Sequence, residues 1–177
     1  RAMNAVDTVV VTSDDQDILD AAQEWGAGRL TRPPEYATET ASMVCTLRHA
    51  LDSLETVSIH YDWVILLQPN VPLRRVQDCE TWFHWWLREQ RAAGLLTVDI
   101  APYKLGSLSR SKVPGWFHPK YEPGARKQDM KHWGRENGVF YAFRAENIRS
   151  GQLFGRWPRR MLAAATPREQ SLANVDT

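Results

Sequence analysis

Spaced by its apolar positions, the chain alternates short β-branched runs with amphipathic stretches. "TVVVT" (8–12) is the first such run. "SDDQDILDAAQEWGAG" after it predicts a helix, capped by Ser13 or Asp14 and carrying acidic residues in its first turn. Ile18, Ala22 and Trp25 share a face at helical spacing, and Gly26 suits the C-terminal stop. "RLTRPPEYATETAS" reads as an irregular crossing marked by two prolines. A second helix runs through Val44, Leu47, Leu51 and Leu54, and the strand "WVILLQ" (63–68) follows. The third helix spans roughly 75–92, with Val76, Cys79, Phe83, Trp86 and Leu87 as its apolar stripe and Gly94 as its end. "LLTVDI" is then a strand, and "GVFYAF" (138–143) another. "AENIRSG" is a short helix and "RMLAAAT" a last strand. Strands alternating with helices predict an α/β domain with a mostly parallel sheet. Between them, 101–136 holds no lasting period and is too long for an inert loop.

The stretch "LLQPNVPLR" (66–74) shows where such a sheet would carry chemistry. A continuous apolar run fits a strand covered on both faces, and two prolines stop it. Ligands of open α/β sheets bind at the carboxyl ends of the strands. A turn with a polar rim is the plain alternative.

Composition narrows the classes. At 177 residues the chain is most simply one domain, and a formal charge of +1 suggests neither a nucleic-acid nor a membrane partner. No apolar run approaches a membrane span and no signal-peptide pattern opens the sequence. Cys45 and Cys79 form no CxxC pair and read as reduced core thiols of a cytoplasmic protein. Eight tryptophans exceed what a core of this size needs, so some suit an interface. The opening "RAMNAVDTVVVT" reads as the tail of a helix entering a strand. The expectation is a single domain over 1–177, N-terminally incomplete.

No G-x-S-x-G elbow, metal-spaced histidine pair, G-x-G-x-x-G fingerprint or phosphate-binding G-x-x-x-x-G-K-[ST] loop is present. Polar clusters fall instead at element ends: "TRPPEYATETAS", "QPNVPLR", "APYKL", "GRENG" and "NVDT". Converging on one face, they would offer cations, amides and a carboxylate. That set suits a phosphorylated ligand and a divalent metal.

In this order the clusters resemble the CMP-sialic acid synthetase (acylneuraminate cytidylyltransferase) family. "VVVTSDDQDILDAAQEWGA" with "TRPPEYATETAS" resembles its first strand–helix pair and Arg-Pro segment. "LLQPNVPLR" resembles its Q-P-T-S-P-L-R turn, and "KQDM" with "GRENGVFYAF" its R-Q-x-L-P and R-P-N-G-A-I-Y region. "REQSLANVDT" resembles its closing D-I-D-T. The match is collinear over nearly all of the chain.

The resemblance implies a Rossmann-like three-layer α/β/α nucleotidyltransferase fold with an inserted arm at 101–136, serving dimerisation and the sugar pocket. It implies transfer of CMP from CTP to a sialic-acid-like nine-carbon sugar acid, with pyrophosphate release and Mg²⁺. Arg32, Ala41 and Ser42 would bind the nucleotide; Gln68, Lys104, Asn137 and Gly138 the sugar acid. Asn174 and Asp176 would hold the metal, Asn174 replacing one aspartate of the family's pair. Asn70 and Val71 depart from the family's Thr and Ser. Members are homodimers, and Trp116, Phe117 and Tyr121 would suit an exchanged arm. The family's triphosphate-cradling loop after its first strand has no counterpart here, so catalytic residues are unassigned and this chain alone is expected to be crippled. Each residue also has a plain reading. Arg32 could be solvated beside prolines, Gln68 a turn cap, Lys104 a surface cation and Asp176 a turn residue. Arg126, Lys127 and Arg135 read as a solvated basic rim. Two alternatives stay open: a non-catalytic dimerising relative, or a nucleotidyltransferase for a different base or sugar.

Overall fold

Val139, Phe140, Ala142 and Phe143 are each at most 2 % exposed, and the strand that carries them organises the rest. The computed structural model describes residue 3 and residues 5–56, 58–89, 91–101, 106–108, 117–122, 124–126, 128, 133–155 and 160–167. In chain order these form β1 (Val10–Ser13), α1 (Gln16–Glu24), β2 (Gly28–Thr31), a 3-10 turn (Pro34–Tyr36), α2 (Met43–Leu54), β3 (Trp63–Leu66) and α3 (Val76–Arg88). They continue with β4 (Ala92–Ala101), β5 (Gly106–Leu108), β6 (Phe117–Pro119), β7 (Trp133–Arg144), α4 (Ala145–Arg149) and β8 (Arg160–Ala165).

Four strands form the central sheet in the order β3-β7-β4-β8. Its faces separate by strand parity. Ile65, Phe140, Ala142, Leu95 and Ala164 pack with Trp82, Phe83 and Trp86 of α3. Val64, Leu66, Phe143 and Met161 pack on the other side with Leu47 and Leu51 of α2 and Ile148 of α4. The result is three layers, helix on sheet on helix, as expected. The sheet is mixed rather than mostly parallel, which corrects the Rossmann-like expectation. β7 runs antiparallel to both β3 and β4, and β8 runs parallel to β4. Among the described residues the stretch between β4 and β7 contributes β5 and β6 and no α-helix, and an antiparallel neighbour needs no helical crossover.

β1 and β2 form a separate parallel pair, so "RLTRPPEYATETAS" opens with a strand instead of being irregular throughout. Gly28 N–H donates to Val9 O and Arg32 N–H to Ser13 O, both at 2.8 Å. Odd-numbered residues of β1 thus bond to β2, and the carbonyls and amides of Val10 and Thr12 face the other edge. Ala145 N–H donating to Asp62 O at 2.9 Å fixes the same parity for β3, turning the backbone groups of Trp63 and Ile65 away from β7. A 2.9 Å bond between Thr8 Oγ1 and Tyr61 Oη joins the residues just ahead of these two strands.

Several local expectations change. Asp15, not Ser13 or Asp14, caps α1, its Oδ1 accepting from Asp17 N at 2.8 Å and Ile18 N at 3.3 Å. That helix buries Leu19 and Ala22, and leaves Ile18 and Trp25 exposed, because the face toward β1–β2 is set by Leu19. α3 buries Trp82, which lies outside the expected apolar stripe, and exposes Leu87. Its last residue is Arg88, and Gly94 lies inside β4. β7 already begins at Trp133, pairing Trp133–Glu136 with Val98–Ala101, and β5 and β6 make an antiparallel hairpin within the excursion. Trp116 lies outside the described residues.

Cys79 is buried in the α3 layer whereas Cys45 is exposed, so only one of them is a core thiol. Burial pushes the Cys79 thiol up to about 11. Between the unfolded value of 9.0 and that folded value, the unfolded chain releases a proton that the folded chain keeps. The Cys79 contribution therefore lowers stability as pH rises through this window. At pH 8, a thiol reagent such as dithionitrobenzoate should titrate one cysteine in the folded chain and two in denaturant; two fast thiols in the folded state would contradict the buried placement.

Gly94 carries a second consequence of tight layering. A Cβ there would stand 2.5 Å from Ala142 O and 3.0 Å from Met161 Cε. Gly94→Ala should lower unfolding free energy by about 1–3 kcal/mol, since a strand carbonyl cannot step aside. Gly26→Ala, with open space but a φ of 78°, should lower it by about 1–2 kcal/mol through backbone strain alone. Urea melts of both variants measure the difference.

Candidate functional site

The turn 67–74 does what its prolines suggested and something more. Val71 is fully buried in the α3 layer, so this departure from the family pattern fills the core and does not line a pocket. Arg74 folds back under the turn, its Nε donating to Val139 O at 2.6 Å and its Nη2 to Gln68 O. Burial pulls this guanidinium below its ordinary pKa, though it stays charged and anchors β3 to β7 through two backbone carbonyls. The turn therefore leaves Gln68 in a fixed position.

Opposite it stands Gly138, with a φ of 72°. Gln68 Oε1 occupies the place where a Cβ of residue 138 would be, with Val71 Cγ2 3.6 Å from that point. Both the positive φ and the close approach demand glycine here. The ladder explains the conformation. β4 and β7 are in register at Leu96–Tyr141 and again at Val98–Glu136, so residues 137–140 of β7 face Thr97 alone.

This bulge is filled by a polar cluster. The Thr97 hydroxyl, fully buried, accepts from Phe140 N at 2.9 Å and donates to Asn137 Oδ1 at 2.8 Å. Asn137 Nδ2 donates to Asp99 Oδ1 at 2.9 Å and to Thr166 Oγ1 at 2.6 Å. Asp99 Oδ2 accepts from Arg135 Nη2 at 2.8 Å, so Arg135 is ion-paired instead of purely solvated. Nearby, the Tyr141 phenol is raised above its usual pKa, first by burial and then by the Glu136 carboxylate.

The structure thus brings Gln68 and Gly138 into contact just past the carboxyl end of β3, with Asn137 beside them opposite Thr97 in the middle of β4. Arg32, directly after β2, sits at the carboxyl end of β1, its Nη2 reaching around to Thr12 O on the strand's outer edge. Arg32 Nε and Thr12 Oγ1 are both buried without a hydrogen-bond partner among the described residues. Ala41 and Ser42 immediately precede α2, where Ser42 is the N-cap residue without a side-chain cap bond. Lys104, Asn174 and Asp176 lie outside the described residues. Among the described residues no three His, Cys, Asp or Glu side chains cluster as a metal would need, and both oxygens of Asp99 are engaged. No described helix is long and apolar enough to cross a membrane. Thr97, Asp99, Thr166 and Arg74 were not singled out from sequence. The signal for the first two was polar residues two apart within the apolar run "LLTVDI".

Gly138→Ala should lower stability by about 2–4 kcal/mol, combining left-handed strain with the collision at Gln68. Adding Gln68→Ala removes the collision and should return all but about 1–2 kcal/mol. Denaturant melts of the cycle decide it: simple additivity would mean that the two residues do not meet.

No family model matches the chain. It is 29% identical over 138 residues to the CMP-N,N'-diacetyllegionaminic acid synthase of Legionella pneumophila, covering 75% of this chain and 55% of that enzyme. It is 38% identical over 66 residues to an N-acylneuraminate cytidylyltransferase of Escherichia coli, covering 37% of this chain and 15% of that protein. The chain therefore spans about half the length of the Legionella enzyme. Among solved structures it resembles a CMP:2-keto-3-deoxy-manno-octonic acid synthetase complexed with CTP, with a TM-score of 0.60 at 16% identity over 93% of this chain and 75% of that one. It also resembles the 4-diphosphocytidyl-2C-methyl-D-erythritol synthase of Anaerococcus prevotii, with a TM-score of 0.62 at 11% identity over 98% and 74%. The chain is a distant homologue of the CMP-legionaminic acid and N-acylneuraminate cytidylyltransferases, on an α/β fold of the nucleotidyltransferase kind.

Proposed function

We propose that this chain forms the base-binding and sugar-binding parts of a cytidylyltransferase that transfers CMP from CTP to a nine-carbon sugar acid. The observation that carries the reading is the pair of orphaned polar atoms, Arg32 Nε and Thr12 Oγ1, at the carboxyl end of β1. Buried polar groups are normally paired, so a site that leaves a donor and a hydroxyl unused is suited to a polar ligand. Cytosine and its ribose supply acceptors and donors of that kind. Gln68, held at the end of β3, would then meet the sugar acid across the same end of the fold, with Gly138 giving it room.

The protein's part in such a reaction is alignment. Arg32 and the start of α2 at Ala41 and Ser42 would hold the nucleoside, while Gln68 and Lys104 orient the sugar's carboxylate and hydroxyls. Holding the anomeric hydroxyl in line with the α-phosphorus replaces a bimolecular encounter by a positioned one. Mg²⁺, held by Asn174 and Asp176, would neutralise charge on the triphosphate. Residues 1–177 hold no counterpart of the family's triphosphate-cradling loop, and on this reading the chain alone would be a weak catalyst. A homodimer exchanging the 102–132 excursion completes the reading. A different acceptor is the second reading. It is favoured by the similar TM-score against the 4-diphosphocytidyl-2C-methyl-D-erythritol synthase, since fold does not fix substrate.

Calorimetric titration of CTP, GTP and ATP into the chain, with and without Mg²⁺, tests the proposal. CTP-selective binding that Arg32→Ala weakens by about tenfold or more is the expected outcome. Pyrophosphate release assayed with several sugar acids would then fix the acceptor. A folded chain that binds none of the three nucleotides would sink the base-binding assignment and leave a non-catalytic module.

A further inference from the structure

Asn137 spends every hydrogen-bonding position of its side chain inside the protein. Its Nδ2 gives one proton to Asp99 Oδ1 at 2.9 Å and the other to Thr166 Oγ1 at 2.6 Å. Its Oδ1 accepts from the Thr97 hydroxyl at 2.8 Å and from Val139 N at 3.3 Å. A side-chain amide has two donors and two lone pairs, so nothing is left for a ligand. The amide's orientation is not arbitrary either. A carboxylate oxygen on one side requires Nδ2, and a backbone N–H on the other requires Oδ1. At 6% exposure the residue is also out of a ligand's reach.

We infer that Asn137, with Thr97 and Asp99, is a positioning residue for the Gln68–Gly138 pair and does not itself touch the sugar acid; the ligand half of this inference rests on the cytidylyltransferase reading. The cluster clamps both flanks of Gly138. Asn137, the preceding residue, is held to Asp99 of β4 and to Thr166 just after β8, and receives the N–H of Val139, the following one. Thr97 then receives Phe140 N–H, closing the bulge. Gly138 is thereby fixed at a φ of 72°, a conformation that favours glycine, and the absence of a Cβ leaves that place to Gln68 Oε1. On the other side, Val71 N and Arg74 Nη2 both donate to Gln68 O, fixing that residue's backbone. Asp99 supplies a charged acceptor, which strengthens its bond to the Asn137 amide, and Arg135 balances the charge. The specificity of the pocket is then set two bonds away from any ligand atom.

Thr97 gives the decisive test, because it is fully buried and can reach a ligand only through Asn137 and the bulge. In the 177-residue chain, Thr97→Val should speed hydrogen exchange at the Phe140 amide by about tenfold or more and shift the Gln68 side-chain amide resonance. Thr97→Ser, which keeps the hydroxyl, should restore both. With CTP present, Thr97→Val should weaken binding of N-acetylneuraminic acid by about tenfold while changing CTP affinity less than twofold. The double variant Thr97→Val/Asn137→Ala should bind no worse than Asn137→Ala alone. Affinity for the sugar acid that survives Thr97→Val but vanishes in Asn137→Ala would overturn the inference and make Asn137 a direct contact. If the wild-type chain binds CTP but not the sugar acid, the acceptor reading falls separately. The exchange measurement still decides the clamp, and unchanged Phe140 and Gln68 signals in Thr97→Val would overturn it.

Discussion

The bulge opposite Thr97 is the constraint on which the rest of the site depends. A regular ladder between β4 and β7 would alternate side chains without a break and leave no room for a turn in the middle of the sheet. Inserting residues 137–140 against one partner frees backbone groups that must be satisfied in a buried setting. Thr97 and Asn137 satisfy Phe140 N and Val139 N by side chain, and they do so in a closed cluster with Asp99 and Thr166. A half-satisfied version would be worse than an apolar strand, so the cluster stands or falls as a unit. What it provides is a glycine in left-handed conformation facing the end of β3. The functional geometry is a by-product of solving a backbone problem.

Arginine plays a related part at three strand ends. Arg74 bonds to the carbonyls of Val139 and Gln68, Arg32 to that of Thr12, and Arg144 Nε to that of Ala92. Each guanidinium ties two segments of main chain where the ladder has stopped. The planar fork allows this with a small entropic loss per bond, which a lysine in the same place would not match. Arg144 in addition lies over the Trp86 ring at 5.6 Å, joining β7 to α3. Of the three, Arg32 is the one whose Nε is buried without a partner among the described residues, and the proposed ligand contact rests on that distinction, not on its charge.

The layers were legible in the sequence because parity and helical period report burial directly. β7 alternates Phe140 and Ala142 against Tyr141 and Phe143, and α3 repeats Cys79, Phe83 and Trp86. Gln68 and Gly138 were legible through the resemblance of their segments, and the structure puts them in contact. Strand direction was not legible. The argument from alternation assumes that each crossover contains a helix, and the excursion between β4 and β7 does not have to. Cys45 was misread because helical spacing alone does not say which face meets the sheet. Thr97 was missed for a different reason: in a one-dimensional pattern a buried threonine reads as a β-branched strand residue. Only the missing ladder partners opposite it reveal the hydroxyl's use.

Two ladders, not one, carry the site, and this bears on how it would respond to a ligand. Gln68, Asn137 and Gly138 belong to the four-stranded sheet, where backbone bonds fix their separations. Arg32 and Thr12 belong to the β1–β2 unit, whose outer edge carries the backbone groups of Val10 and Thr12, the Thr12 carbonyl being taken by Arg32 Nη2. The edge of β3 turned away from β7 carries those of Trp63 and Ile65. Neither edge has a lysine or proline within the strand to blunt it. Thr8 and Tyr61 join the two units at their amino ends, opposite to the carboxyl ends where Arg32 and Gln68 stand. A molecule held by Arg32 on one side and Gln68 on the other would thus brace the end that the Thr8–Tyr61 bond does not reach. Binding energy from such a molecule would be spent partly on fixing the two ladders relative to each other, so affinity and the rigidity of β1–β2 should rise together.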